Sequence, residues 1–239
     1  IEDTQVFAGA SYSEVDFPNS IPVSLTEYSV ESVNAGVVHN FDQLNYVTLS
    51  LFNSNYEADT FVSDVETNGG NIRYDKTFNE LWRGYAQVGY RKSNFKNEVS
   101  GMTVRDDDTG ASYDVGATRQ TQVSTMSVEV SNSLEPSADG DVNERTEVSF
   151  AYQRSHSDRF SSGLNVSWFE DESVNNDQDS DREYWTLTLG ADYRLAQKWY
   201  LTGQLRHRDQ EIDNDANSTS ADSDAVIIGI RYSGHKNRI

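Results

Sequence analysis

All four tryptophans fall on one side of a period-two pattern, and that side is apolar. In WRGYAQVGYR, Trp82, Gly84, Ala86, Val88 and Tyr90 form one face and Arg83, Tyr85, Gln87 and Arg91 the other. In YWTLTLGADYR the division is Trp185, Leu187, Leu189, Ala191 and Tyr193 against Thr186, Thr188, Asp192 and Arg194. Side chains alternate across a strand, so each segment is a ribbon with an apolar face ending in rings and a polar face carrying charge. A soluble β-sandwich or lipocalin-like barrel also alternates, but it does not gather aromatics at the ends of the apolar stripe. Membrane interfaces do. A soluble core also calls for larger aliphatics at mid-strand than Gly84, Ala86 and Gly203.

The composition agrees once it is read strand by strand. Only 36% of the 239 residues are hydrophobic and the mean hydropathy is -0.70. That excludes helical spans, which need roughly 20 consecutive apolar residues, but not membrane strands of about 9 to 11 residues with every second one apolar. The chain has no cysteine and 3 prolines, which fits strands constrained by their own hydrogen-bonded ladders. A net charge of -20 and a pI near 4.4 disfavour nucleic acid, whose phosphates need clustered Lys and Arg. Ile1 is followed almost at once by strand-like TQVFAGASY, so a mature or trimmed sequence is expected.

Two kinds of connector alternate along the chain. The short ones cover 40–45, 76–80, 117–120, 155–159 and 195–198; the long ones are acidic and rich in Asp, Asn, Ser and Gly, at 14–27, 56–65, 94–109, 133–143, 170–182 and 209–224. This is the hairpin rhythm of an up-and-down outer-membrane barrel, with tight periplasmic turns on one rim and long external loops on the other. About twelve strands result, an even number as single-chain bacterial barrels require. The sixth, near 110–116, is short and acidic and is placed only because the alternation of connectors needs it. A single domain over 1–239 is expected.

Trp82 and Trp199 follow short turns, while Trp168 and Trp185 flank a long connector, so two girdles are implied, with Tyr90, Tyr152, Tyr193 and Tyr232 in the same phase. The polar phase puts Arg73, Arg83, Tyr85, Arg91, Glu129, Glu147, Asp192, Arg194, Arg206, Arg208 and Arg231 on the inward face, with Asp75 among them. Charges there must be paired or hydrated. One reading is a salt-bridge network that fills the barrel; the other is a permeation path whose arginines select anionic solutes or an acidic glycan. Twelve strands lie between barrels filled by side chains and barrels that leave a channel, so size does not choose.

The acidic connectors carry alternating oxygens at Asp177, Asp179 and Asp181, hard ligands suited to calcium, but no complete EF-hand pattern is present, so solvated loops and no metal are expected. Such loops would repel polyanions near the mouth, in tension with an anion-selective lumen. Of the four histidines, His39, His156, His207 and His235, only His207 approaches the long-connector rim, with Asp209 two residues on. An omptin-like protease would need such a pair, but His207 is in the lipid-facing phase, and neither GxSxG nor HExxH occurs. The expectation is a non-enzyme without cofactors.

The segment SNSLEPSADGDVNERTEVSFAYQRSHSDRFSSGLNVSWF (131–169) resembles outer-membrane β-barrel porins found near exopolysaccharide biosynthesis loci. The stretch from REYWTLTLGADYRLAQKWYLTGQLRHR to AVIIGIRYSGH resembles that family's closing strands. The resemblance covers roughly the C-terminal half at motif level and the remainder by rhythm. It implies an outer-membrane location and a role in passing or anchoring a secreted polysaccharide, and it supplies no catalytic or ligand residues. Members of the group tend to be longer, which leaves open further N-terminal strands, and GHKNRI follows Tyr232 where such barrels finish on an aromatic. The expectation is a porin of the bacterial outer membrane in contact with lipid and lipopolysaccharide, with a polysaccharide or envelope protein as partner. The alternative is a non-conducting barrel that anchors another surface component.

Overall fold

The computed structural model describes residues 3–16, 27–58, 63–99, 102–136, 142–173, 180–214 and 217–233. Twelve strands follow one another: β1 (Asp3–Val15), β2 (Tyr28–Asn40), β3 (Asn45–Ala58), β4 (Ser63–Thr77), β5 (Trp82–Val99), β6 (Met102–Gln120), β7 (Ser124–Pro136), β8 (Val142–Ser155), β9 (Phe160–Ser173), β10 (Ser180–Ala196), β11 (Trp199–Asn214) and β12 (Asn217–Tyr232). Each pairs antiparallel with the next in a single up-and-down sheet. No ladder joins β1 to β12 among the described residues. Val6 on β1 and Ile228 on β12 are exposed on the outer face, as Leu51 is in the middle of the sheet.

The apolar phase faces outward. Leu49, Leu51, Ile72, Val88, Tyr90, Val115, Leu189, Leu205 and Val226 are all exposed large hydrophobics. The cross-strand registers Ala86↔Val115, Val115↔Val130, Val130↔Val148 and Val148↔Trp168 run this belt continuously from strand to strand. It begins at Trp82 and Trp199, beside the short turns, and ends near Tyr90 and Trp185. The nine residues 82–90 match the length a tilted strand needs to cross hydrocarbon, about 9 to 11 residues.

The strands continue well past the belt. β5 has 18 residues and β6 has 19, so the segment 94–109, expected as a loop, is mostly a paired hairpin, and the doubtful sixth strand is the longest in the sheet. The segment 209–224 is likewise ladder apart from its tip. Asp, Asn and Ser have low strand propensity, but a ladder already nucleated in the membrane extends into water, where both faces can be polar. The expected loop 170–182 keeps residues 170–173 and 180–182 in strand, with Asp181 at the start of β10, while Asp177 and Asp179 lie outside the described residues. The short turn expected at 117–120 sits instead at 121–123, since β6 runs to Gln120.

Four short turns share one device. Asp42 Oδ1 accepts the Leu44 amide at 2.6 Å, and Asn79 Oδ1 accepts the Leu81 and Trp82 amides at 2.9 and 3.0 Å. Thr121 Oγ1 takes the Val123 and Ser124 amides at 3.3 and 2.9 Å, and Ser157 Oγ takes those of Arg159 and Phe160 at 3.3 and 3.1 Å. A short side-chain oxygen thus satisfies turn amides that face no ladder. The Leu44 amide first, and then the Asn45 side chain, hold the Asp42 carboxyl below the usual range. Its contribution is therefore present at neutral pH and lost as acid carries it through that lowered value.

On the inward face, large side chains lie flat across glycines directly opposite them. Phe7 pairs with Gly36, Phe52 with Gly69, Tyr85 with Gly116 and Arg91 with Gly110. The three atoms nearest a Cβ on Gly116 all belong to the Tyr85 side chain, at 2.6 to 2.9 Å, whereas one on Gly69 would meet the Phe52 ring and also the Tyr90 carbonyl at 2.7 Å. A ring can swing away and a backbone carbonyl cannot. Gly69→Val is therefore expected to cost about 2 to 3 kcal/mol and Gly116→Val about 1 kcal/mol or less, read by denaturant titration in bilayers. Equal costs would contradict the cradle geometry.

Candidate functional site

The inward face divides into three regions. The first is a charged ladder at mid-height on β4–β7. Arg73 Nε binds Asp75 at 2.9 Å, its Nη1 reaches Asp114 at 3.5 Å, and its guanidinium lies 3.7 Å over the Tyr85 ring. The Tyr85 hydroxyl is 2.8 Å from both Asp114 Oδ1 and Glu129 Oε2. With one proton it satisfies one carboxylate at a time. Two carboxylates, Asp75 and Asp114, meet one guanidinium here, and a third, Glu129, meets the Tyr85 phenol.

The second region is the wall of β8–β12. Gln153, Ser161, Gly163, Asn165, Thr188 and Gln204 line a groove of about 430 Å³. Between them the same groove is lined by Ala151, Ala191 and Ile227. Along the same face stand Arg194, Arg206, Arg208 and Arg231. Arg231 Nη2 lies 3.6 Å from Asp192 and its guanidinium 4.8 Å from the Tyr200 ring. Arg194, Arg206 and Arg208 make no ion pair among the described residues. This wall carries an excess of positive charge.

The third region, above the belt, is packed. Tyr56, Ala58, Val65, Phe95 and Val142 are buried together, with Tyr28, Val30 and Leu134 against them. The registers Val30↔Tyr56, Tyr56↔Val65 and Val65↔Phe95 make most of this one inward row across β2–β5. Val142 and Leu134 arrive differently. By alternation they share the face of Val148 and Val130, which is the lipid side lower down. β6 and β7 pair only between 113–120 and 125–132, and above that split the β7–β8 hairpin turns its outer face onto the inner face of β2–β5. The Arg91 guanidinium bridges the split, bonding Glu144 on β8 and the Ala111 carbonyl at 2.9 Å, with Asp108 at 4.0 Å. Asn132 donates to the same Glu144 at 2.8 Å. Nearby, Arg145 clamps Asp171 through two bonds of 2.6 and 2.9 Å and stacks 4.3 Å over Phe169.

All eleven residues expected on the inward face lie on it by strand alternation, but they do not form one site. Arg73, Tyr85 and Glu129 join the ladder, Arg91 joins the upper packing, and Asp192 and Arg231 pair near the short-turn rim. Glu147 faces inward opposite Ser131, and Arg83 stands exposed opposite Thr118. On the outside, Trp168 and Trp185 are direct cross-strand partners and Trp199 packs on Tyr232 at 5.0 Å. The Trp168 indole donates to Glu183 at 2.7 Å, an apolar body with its polar edge turned to water. Tyr90 lies opposite Gly70, Tyr152 opposite Leu164 and Tyr193 opposite Phe160, all in the outward phase, and Arg119 stands 5.8 Å over Trp82. His207 is on the outer face as well, and its partner is Asp224 at 2.8 Å rather than Asp209. His235 lies outside the described residues. No cluster of metal-ligating side chains occurs among the described residues.

Sequence reasoning missed the Arg145–Asp171 clamp and the role of Val142, because Asp171 and Val142 sit in segments read as connectors. Arg145↔Asp171 becomes visible only once the ladder is known to continue through 170–173.

Comparison with known proteins bears on the architecture. No protein-family model matches the sequence and no curated protein matches it. Among solved structures the chain is similar to the copper transporter OprC, with a TM-score of 0.53 and 11% identity over 87% of this chain and 47% of that one. It is similar also to OmpT, an outer membrane protein of Vibrio cholerae, with a TM-score of 0.40 and 9% identity over 96% and 95% of the two chains. The β domain of the Bordetella autotransporter BrkA gives 0.43 and 13% over 97% and 99%. At such identities the likeness is one of fold. The chain has the up-and-down antiparallel β-barrel fold.

Proposed function

We propose that the chain is an outer-membrane channel whose inward arginines favour anionic solutes, an acidic glycan among them. The observation that carries this reading is the wall of β8–β12, where Arg194, Arg206 and Arg208 stand without carboxylate partners among the described residues, on a face that also carries small hydroxyl and amide side chains. A guanidinium left unpaired on a hydrated surface attracts counter-charge, and an arginine-lined pore uses that attraction to choose its solute. The resemblance of the C-terminal half to porins near exopolysaccharide loci supports a secreted polysaccharide as that solute. No catalytic role is proposed.

Reconstitution into planar bilayers tests the proposal. Open-channel steps with anion preference are expected, and the combined substitution of Arg206, Arg208 and Arg231 by Gln is expected to move the reversal potential toward zero preference while leaving the channel open. A silent bilayer across conditions would instead favour a non-conducting barrel that anchors a surface component. The packed cluster around Tyr56 and Val142 is the feature that speaks for that second reading, since it fills one side of the mouth.

A further inference from the structure

The outer face at the short-turn rim carries cations that the channel reading does not use. Lys76 on β4, Arg119 on β6 and Arg154 on β8 fall by strand alternation in the outward phase, with Gly84, Val115 and Val148. Arg119 and Arg154 are exposed and Lys76 is half-buried. None of the three makes an ion pair among the described residues, and Glu80 and Asp158 in the adjoining turns bind none of them. They stand among apolar rings. Lys76 lies 5.5 Å from the centre of the Phe78 ring and Arg119 5.8 Å from that of Trp82. A Cβ on Gly84 would meet Phe78 at 3.2 Å, so this turn residue folds over the outer face and not toward the lumen. Arg119 and Arg154 flank the same stretch of β7, opposite Met126 and Ser124. Two strand spacings and two residues separate them, roughly 12 Å, so two long side chains can flank one headgroup. At the other end of the outer face the lysines are already neutralised: Lys92 holds Asp107 at 3.0 Å and Lys96 holds Asp64 at 2.9 Å.

We infer that this rim binds the phosphate of an anionic phospholipid, held by Arg119 and Arg154, with Lys76 and Trp82 beside the headgroup and the acyl chains along Ala86 and Val115. On a chain of net charge -20, cations without carboxylates at one membrane edge reverse the local sign, and the counter-charge has to come from the leaflet. Each cation near an anionic lipid surface favours it by about fivefold. A zwitterionic headgroup brings its own ammonium, which competes with the arginines, and a free phosphate ion lacks the chains that rest on the belt. Arginine stems can lie along the apolar face while their heads reach the headgroup layer. The inference rests on the outer belt meeting acyl chains and not on whether the lumen conducts.

Quenching by brominated lipid reads the preference at each rim. Trp168→Phe, Trp185→Phe and Trp199→Phe leave Trp82 as reporter beside the cations, and Trp82→Phe, Trp185→Phe and Trp199→Phe leave Trp168 at the opposite rim. Each folded protein is placed in mixed vesicles in which either phosphatidylglycerol or phosphatidylcholine carries the bromine. At Trp82, phosphatidylglycerol is expected to be enriched about five- to tenfold at low salt, with the enrichment eroded by added chloride, and at Trp168 none is expected. Arg119→Gln combined with Arg154→Gln is expected to remove the enrichment, while quenching by brominated phosphatidylcholine and the shift in gel mobility on boiling both persist. Inorganic phosphate at matched ionic strength is expected to act no differently from chloride; specific displacement by it would overturn the lipid assignment. No enrichment at Trp82, enrichment of equal size at Trp168, or enrichment that survives the double substitution also overturns it. Absence of quenching by either lipid would remove the belt and this inference with it.

Discussion

Ala86→Arg is expected to lower stability in a bilayer by about 2 to 4 kcal/mol, while Gln87→Arg, one residue along the same strand, changes it by less than about 1 kcal/mol. Ala86 is the midpoint of the stripe from Trp82 to Tyr90 and is flanked on the outer face by Tyr74 and Val115. A guanidinium there points into hydrocarbon at the depth where the cost is greatest. Gln87 faces the lumen between Arg73 and Asp114, so a new positive charge finds water and a carboxylate. Denaturant titration of both variants folded into vesicles measures the pair. Equal costs, or a larger cost at position 87, would mean that the two faces have been exchanged.

The second large effect lies above the belt. Arg145→Met is expected to cost about 3 to 5 kcal/mol, because it leaves Asp171 as an uncompensated charge at 3% exposure. Asp171→Asn should be milder. The Arg145 side chain is 31% exposed and retains its stack on Phe169, so the cation left behind can hydrate. The prediction is thus an asymmetry between two partners of one clamp, read as the difference in denaturant midpoint. An Asp171→Asn variant less stable than Arg145→Met would show that the burial is shared differently.

The outer face was legible in the sequence because lipid imposes one rule on every strand. Trp82, Trp168, Trp185 and Trp199 mark the belt without any knowledge of neighbours, since a period of two assigns faces residue by residue. The inward face could be listed but not organised. That Arg73 meets Asp114, or that Arg91 reaches Glu144, depends on register and on sheet curvature, which no local pattern encodes. The acidic segments misled for a different reason. Their Asp, Asn and Ser content signals turns, yet β5, β6, β11 and β12 carry ladders through them because pairing begun in the membrane continues where a local propensity of a few tenths of a kcal/mol per residue opposes it. The inward turn of the β7–β8 hairpin was hidden for the same cause: residues 133–143 read as a connector, so Val142 had no face to be assigned to.

Everything proposed about the lumen presupposes that acyl chains touch the tryptophan side of the sheet. Tryptophan emission from protein folded into vesicles containing brominated lipids reads that contact directly, because bromine quenches only indoles within reach of the acyl chains. Strong quenching of the four indoles is predicted, greatest for bromine placed near the headgroups, as both girdles require. Emission unchanged by bromine at every depth, from protein that remains monodisperse without detergent, would contradict the account.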